Sequence, residues 1–242
     1  MSVPALDQLW VYLSASPLLS LLATLLAFMA ATYLNRCLGG TPFLHPVIIA
    51  IVLLIAFLKL THTDYATYFD GAQFIHFLLG PATVALAIPL YDYRERVRRM
   101  LLPIMLGCVA GIVTAVISTV SVAMLMGASR ETVLTLAPRS VTSPIAMGIA
   151  EKLGGIPSLA AGLVLLTGSL GCALGPLIFR LIKVRDPSVQ GFTMGLAAHG
   201  FGTAHSFSSI GAVAGAFAGL AMGLTGLLTA FILPPLVHVF GL

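Results

Sequence analysis

The sequence predicts an all-α polytopic membrane protein, with about six spans and two broken or re-entrant helical hairpins that enter from opposed faces. Three observations predict it. Only 8% of the 242 residues are charged and 59% are hydrophobic, where a soluble domain carries roughly 25% charged residues. Asp186 is the last charged residue, so the stretch from Pro187 to Leu242 holds only His199, His205 and His238 as groups that titrate near neutrality. Two regions rich in proline, glycine and hydroxyls interrupt the apolar runs. A water-facing surface cannot be built from this composition. It excludes a secreted enzyme, a nucleic-acid module and a disordered regulator, and leaves one integral membrane domain over residues 1–242.

A span needs about 20 mostly apolar residues. Residues 16–38 meet this, 44–60 nearly do, and 69–91 do so with Gly80-Pro81 at the middle. Residues 101–126, 157–179 and 212–240 complete the six. Residues 131–152 carry Pro138, Arg139 and Pro144, and residues 187–210 carry Gly200, Gly202 and two histidines. Proline and glycine at membrane depth free backbone polar groups, which survive there only if protein or a watery cavity satisfies them.

The few charges set the topology. Arg94, Arg96, Arg98 and Arg99, and likewise Arg180, Lys183 and Arg185, form juxtamembrane clusters of the kind the positive-inside rule expects, so the net charge of +4 is no nucleic-acid footprint. With Arg36 cytoplasmic, the N-terminus lies outside and Arg94 to Arg99 return inside. For Arg180 to Arg185 to lie inside as well, residues 131–152 must enter and leave on the outer face. By the same parity residues 187–210 dip from the cytoplasm, and the C-terminus lies outside. Opposed discontinuous helices that meet near the midplane are the plan of many secondary transporters.

Neither a secretory signal nor a transit peptide is expected at the N-terminus, so the chain is expected in the cell (inner) membrane as a multi-pass protein. Cys37, Cys108 and Cys172 are odd in number and lie in separate apolar stretches, which fits buried spectator thiols. Gly211, Gly215, Gly219 and Gly223 recur every four residues and predict a glycine groove that lets another helix approach closely.

Arg139 is the costliest side chain in the sequence. An arginine at membrane depth costs roughly 2.5–3.5 kcal/mol, which implies a partner. Its planar fork of donors suits a carboxylate. An anionic substrate is one partner, and a structural pair with Glu131 or Glu151, or a shallow snorkelling position, are the others. Ser140, Thr142 and Ser143 add hydroxyls beside it, and a helix starting near Ser140 aims its partly positive N-terminal amides at the same place.

Residues 198–206 place His199, Gly200, Thr203 and His205 at an expected hairpin tip, where the glycines let the backbone turn and approach a ligand, so His199, Gly200 and Thr203 are substrate-binding candidates. The imidazoles are either proton carriers or satisfied core residues. No acid or thiol lies near them in sequence, so neither a metal nor a cofactor is expected there. Thr83 marks the break of the third span, with Gln73 and His76 one helical turn apart before it. His205-Ser206 lacks the orienting acid that a nucleophilic enzyme needs, so no enzyme is expected.

Three segments carry a likeness: Gly80-Pro81-Ala82-Thr83-Val84-Ala85-Leu86-Ala87, Leu136-Ala137-Pro138-Arg139-Ser140-Val141-Thr142-Ser143-Pro144-Ile145-Ala146, and Ala198-His199-Gly200-Phe201-Gly202-Thr203-Ala204. Together they resemble the LrgB/CidB family of bacterial membrane proteins, to which YohK-like inner membrane proteins and one half of the plastid glycolate/glycerate translocator are related. The likeness covers nearly the whole chain. It implies a small LrgA/CidA-type membrane protein as partner. It also implies one of two functions: transport of small carboxylates, or holin-like modulation of murein hydrolase export and autolysis.

A nonselective lesion does not require an arginine at the centre of a polar hairpin. The expected function is therefore secondary transport of a small monocarboxylate or hydroxy acid of the glycolate, glycerate or pyruvate type. Arg139 and the amides near Ser140 to Ser143 hold the carboxylate; Thr83, Thr142 and Thr203 contact hydroxyls; His199 or His205 couples a proton. The holin-like or antiholin-like role is the alternative, and homo-oligomerisation is left open.

Overall fold

The computed structural model describes residues 17–39, 45–85 and 87–242, in two compact units, one up to Ala85 and one from Leu86 to Leu242. In the first unit, α1 (Pro17–Cys37) packs against α2 (Pro46–Leu60) and α3 (Tyr65–Ala85). Pro46 starts α2 where its missing N–H costs nothing, and the His45 ring accepts the Val47 amide at 3.3 Å. Thr24 and Tyr68 join α1 to α3 through a 2.7 Å hydroxyl contact.

The second unit opens with two short helices, α4 (Ala87–Asp92) and α5 (Arg94–Arg99), and then crosses in α6 (Leu101–Leu125). A broken segment follows, formed by α7 (Arg130–Leu136), a turn and α8 (Ser143–Leu153). Next come α9 (Pro157–Leu181), α10 (Pro187–His205), a π-helical turn over Ser206–Ile210 and finally α11 (Ala212–Val239).

Among the described residues four helices are long and apolar enough to cross a membrane: Leu18–Cys37, Leu101–Leu125, Pro157–Leu181 and Ala212–Val239. The second and third of the six expected spans fall short of this measure. α2 has 15 residues, about 22 Å of helix at 1.5 Å per residue, against a hydrocarbon core of about 30 Å. Of the expected third span, α3 describes the part up to Ala85 and carries Asp70 and Gln73, α4 describes Ala87–Asp92, and Leu86 lies outside the described residues. Ser16 and Leu44, where the first two spans were expected to begin, lie outside the described residues.

Both irregular regions fold back on themselves as helical hairpins. In the second, α10 contains a break at His199, whose φ of 40° and ψ of −124° turn the chain back. A methyl at Gly202 would overlap the Met194 carbonyl, so the two legs touch backbone to backbone. Methyls at Gly191 and Gly195 would likewise overlap the backbone of Ala214 and Ala218, which sets the entering leg beside α11. These pairs advance together along both helices, so the entering leg and α11 run parallel and start from the same face.

The glycine stripe of α11 is placed differently from its expectation. Gly215 faces the Phe207 ring, Gly223 has open space, and Gly211 at φ 134° makes the turn before α11. The close helix approach comes instead from α10. Small residues serve this purpose in membranes because packing, rather than water exclusion, draws helices together. Of the three thiols, Cys108 and Cys172 are buried, whereas Cys37 is exposed.

Arg96 pairs with Asp186 at 2.8 Å, which puts the two basic clusters of this unit on one face, as the charge parity expects. Asp186 also caps α10, accepting the Ser188 amide at 2.7 Å. Its slight burial raises the carboxyl pKa, but the Ser188 amide and the Arg96 charge outweigh this and hold it below the usual value. A lowered folded pKa stabilises above the unfolded carboxylate value of about 3.9 and loses that contribution as pH falls through the folded value. Acid unfolding below about pH 4 is therefore expected to be less steep in Asp186→Asn, which keeps a capping oxygen but cannot ionise. Identical acid profiles would remove the ion pair from the account.

Candidate functional site

The first hairpin is built from its caps inward. Ser129 accepts the Thr132 amide at 3.2 Å and starts α7. Buried Pro138 follows the end of that helix, and two tight turns follow, Arg139 N–H to the Leu136 carbonyl and Val141 N–H to the Pro138 carbonyl. Thr142 is extended at the start of α8 and makes no side-chain cap bond. The return leg ends at Gly154, left-handed at φ 85°, and the Ile156 amide then reaches back to the Thr135 hydroxyl at 2.8 Å.

The turn lies deep in the protein. Pro138 and Ser140 line a small void with Ile112 and Val116 of α6, Leu196 of α10, and Thr225 and Thr229 of α11. Space for a methyl on Gly226, near the middle of α11, is limited by Ile145. The second tip reaches a similar depth from the other face. His199 Nε2 lies 3.0 Å from the Val164 carbonyl, about 25 Å along α9 from Leu181 at 1.5 Å per residue. A carbonyl only accepts, so Nε2 carries the proton.

Arg139 sits where the hairpins meet. Its Nε donates to the Thr119 hydroxyl at 2.8 Å, and that hydroxyl donates to the Ala115 carbonyl at 2.6 Å. Arg139 lines a cavity of about 370 Å³ with Thr167, Gly171, Thr193, Met194 and Ala197, between α9 and the entering leg of α10. Among the described residues no carboxylate pairs with it: the ion pairs are Arg96 with Asp186 and Arg98 with Glu95. Glu131 and Glu151 are both exposed.

The other expected site residues are dispersed. Thr203 donates to the His199 carbonyl at 2.9 Å, so both residues hold the second tip together. Gly200 is exposed beside them, and His205 lines a different cavity with Arg180 and Lys183. Ser140 lines the small void, while Thr142 and Ser143 lie at the start of α8. Thr83 and His76 belong to α3 of the first unit, and their side chains lie outside the described residues. Among the described residues no three His, Cys, Asp or Glu side chains gather as metal ligands.

Thr119, Thr167 and Thr193 escaped the sequence reading, because a threonine inside a regular span carries no mark. Thr167 and Thr193 each donate to the carbonyl four residues earlier, at 2.9 and 2.8 Å, as Thr119 does. Thr119→Val removes the acceptor of Arg139 Nε, and it is expected to weaken ligand affinity about tenfold with little change in thermal stability. Unchanged affinity in a binding titration would separate Thr119 from the site.

Residues 24–239 match the LrgB-like family. The chain belongs to this family. LrgB-like relatives include YxaC of Bacillus subtilis (strain 168), 34% identical over 91% of this chain and 95% of its own length. The antiholin-like protein LrgB of the same strain is 31% identical over 93% of this chain and 97% of its own. The antiholin-like protein LrgB of Bacillus cereus (strain B4264) is 30% identical over 93% and 98%. No solved structure matches this LrgB-like chain. With its family and its apolar helices, it is a membrane protein.

Proposed function

We propose that this LrgB-family protein is a secondary transporter of small hydroxy- or monocarboxylates of the glycolate, glycerate or pyruvate type, acting across the cell (inner) membrane. The observation that supports it is Arg139: a guanidinium that pairs with no carboxylate among the described residues, at the meeting of two opposed hairpins, on a cavity wall. A carboxylate there takes the guanidinium fork, and the α8 amides add a partly positive helix start nearby. The threonines refine the substrate. With their own protons already donated to backbone carbonyls, Thr167 and Thr193 offer only lone pairs, which suit a hydroxyl on the substrate.

His205 is the better proton carrier of the two histidines, because His199 Nε2 is committed to the Val164 carbonyl. Two relatives bear antiholin-like names, and that comparison favours the alternative, a holin- or antiholin-like modulator of murein hydrolase export and autolysis. Flux of labelled glycolate, glycerate and pyruvate into proteoliposomes, with and without a small LrgA/CidA-type partner, tests the choice. Saturable uptake that a proton gradient drives, with the drive lost in His205→Gln, supports coupled transport. Leakage of a neutral dye without saturable uptake supports the alternative.

A further inference from the structure

On the face opposite the entry of the first hairpin, Arg180, Lys183 and Arg185 share a cavity of about 500 Å³ with Gln190, His205 and Ser209. The positive-inside rule accounts for basic residues on such a face, but not for their gathering around one cavity. The other basic cluster shows the contrast: Arg94 to Arg99 form an exposed helix in which Arg96 is paired with Asp186 and Arg98 with Glu95. Asp186 is thereby committed elsewhere, and among the described residues no ion pair involves Arg180, Lys183 or Arg185.

The backbone adds a second observation. Lys183 is left-handed at φ 58°, at the end of α9, where its amide bonds the Arg180 carbonyl and the Val184 amide bonds the Phe179 carbonyl. Glycine is the usual residue at that position, and a lysine there bears a backbone cost. Gln190 holds the same loop by donating to the Val184 carbonyl at 2.8 Å. Such strain at a cavity rim favours a role for the side chain over one for the backbone.

We propose that this cavity binds the phosphate group of an anionic ligand. A carboxylate needs one fork of donors. Two guanidinium groups, an ammonium, an imidazole and a hydroxyl around one cavity match the larger charge and the greater number of acceptor oxygens of a phosphate. The floor of the cavity comes from the end of α9 and one wall from the returning leg of the second hairpin, through His205 and Ser209. A bound phosphate therefore ties that leg to the loop. The inference does not depend on the transport reading, because it concerns equilibrium binding at another cavity.

Two sources share this chemistry, a soluble phosphate and an anionic lipid headgroup at the membrane surface. The test uses the full chain in nanodiscs. One arm titrates inorganic phosphate into phosphatidylcholine nanodiscs. The other measures retention of phosphatidylglycerol by native mass spectrometry from mixed phosphatidylcholine and phosphatidylglycerol discs. The variants are Arg180→Gln/Lys183→Gln/Arg185→Gln and, as a control of equal charge, Arg94→Gln/Arg98→Gln/Arg99→Gln.

Saturable binding in either arm is expected, reduced at least about tenfold in the first variant and kept in the control. Binding in the phosphate arm identifies a soluble ligand, and binding in the lipid arm alone identifies a headgroup. Should the triple variant not fold, Lys183→Gly relieves the left-handed residue while removing one cation, so weaker binding with unchanged or higher thermal stability is expected. The inference is overturned if neither ligand binds, or if the control loses binding as the triple variant does.

Discussion

Arg139→Leu is expected to abolish saturable carboxylate uptake and to leave the protein at least as stable as the native chain. The two halves of this expectation have one cause. An arginine at this depth without a carboxylate costs roughly 2.5–3.5 kcal/mol, and leucine removes that cost. Thr119 keeps its bond to the Ala115 carbonyl when the guanidinium is gone, so no hydroxyl proton is orphaned. With ligand present, truncating one partner of a buried charge pair costs about 2–5 kcal/mol, a loss of between roughly 30-fold and a few thousand-fold.

Arg139→Lys keeps the charge and loses the fork, so an intermediate defect is expected, about tenfold or more in affinity. Uptake into proteoliposomes and thermal unfolding of the same preparations check both statements. A structural arginine gives the reverse pattern, a less stable protein with normal uptake once folded, and that result would remove Arg139 from the ligand site.

Gly202→Ala is expected to be far more damaging than Gly223→Ala, although each adds one methyl to a helix. At Gly202 the methyl meets the Met194 carbonyl, which is backbone and cannot rotate aside. At Gly223 nothing lies within 4 Å of the added carbon. Overpacking of this kind costs about 1–3 kcal/mol where side chains can adjust, and more where the obstacle is backbone. The expected result is a lowered unfolding temperature or loss of the folded protein for Gly202→Ala, and near-native behaviour for Gly223→Ala. Equal behaviour of the two variants would mean that the hairpin legs are not in backbone contact.

Much of this arrangement was legible in the residues. Pro138 and Pro144 signalled a broken segment, because proline removes backbone donors that lipid cannot replace. The placement of Arg180, Lys183 and Arg185 required that segment to return to its own face, and the contacts of α10 with α11 agree with the parity. Arg139 stood out because a charge at membrane depth is costly wherever it occurs.

What stayed hidden has physical reasons too. Thr119, Thr167 and Thr193 sit in regular helices, and only the tertiary packing brings them near Arg139. The four-residue glycine repeat of α11 predicts a groove, yet periodicity gives a face and not the neighbour that occupies it. The glycines beside His199 pointed to a ligand, and only the tertiary structure shows that Gly202 also serves the close return of the chain and that His199 meets the Val164 carbonyl.

The opposed hairpins have a consequence for electrical insulation. A continuous helix blocks ions along its whole length. Here the seal between the two faces depends on the turn at residues 137–142 lying against the α10 leg that ends at His199. In the proposed carrier, loosening either tip would thin the insulator as well as stop transport. For the transporter proposed above, selective passage and uncontrolled leakage are neighbouring states of one structure, separated by the fit of two short loops.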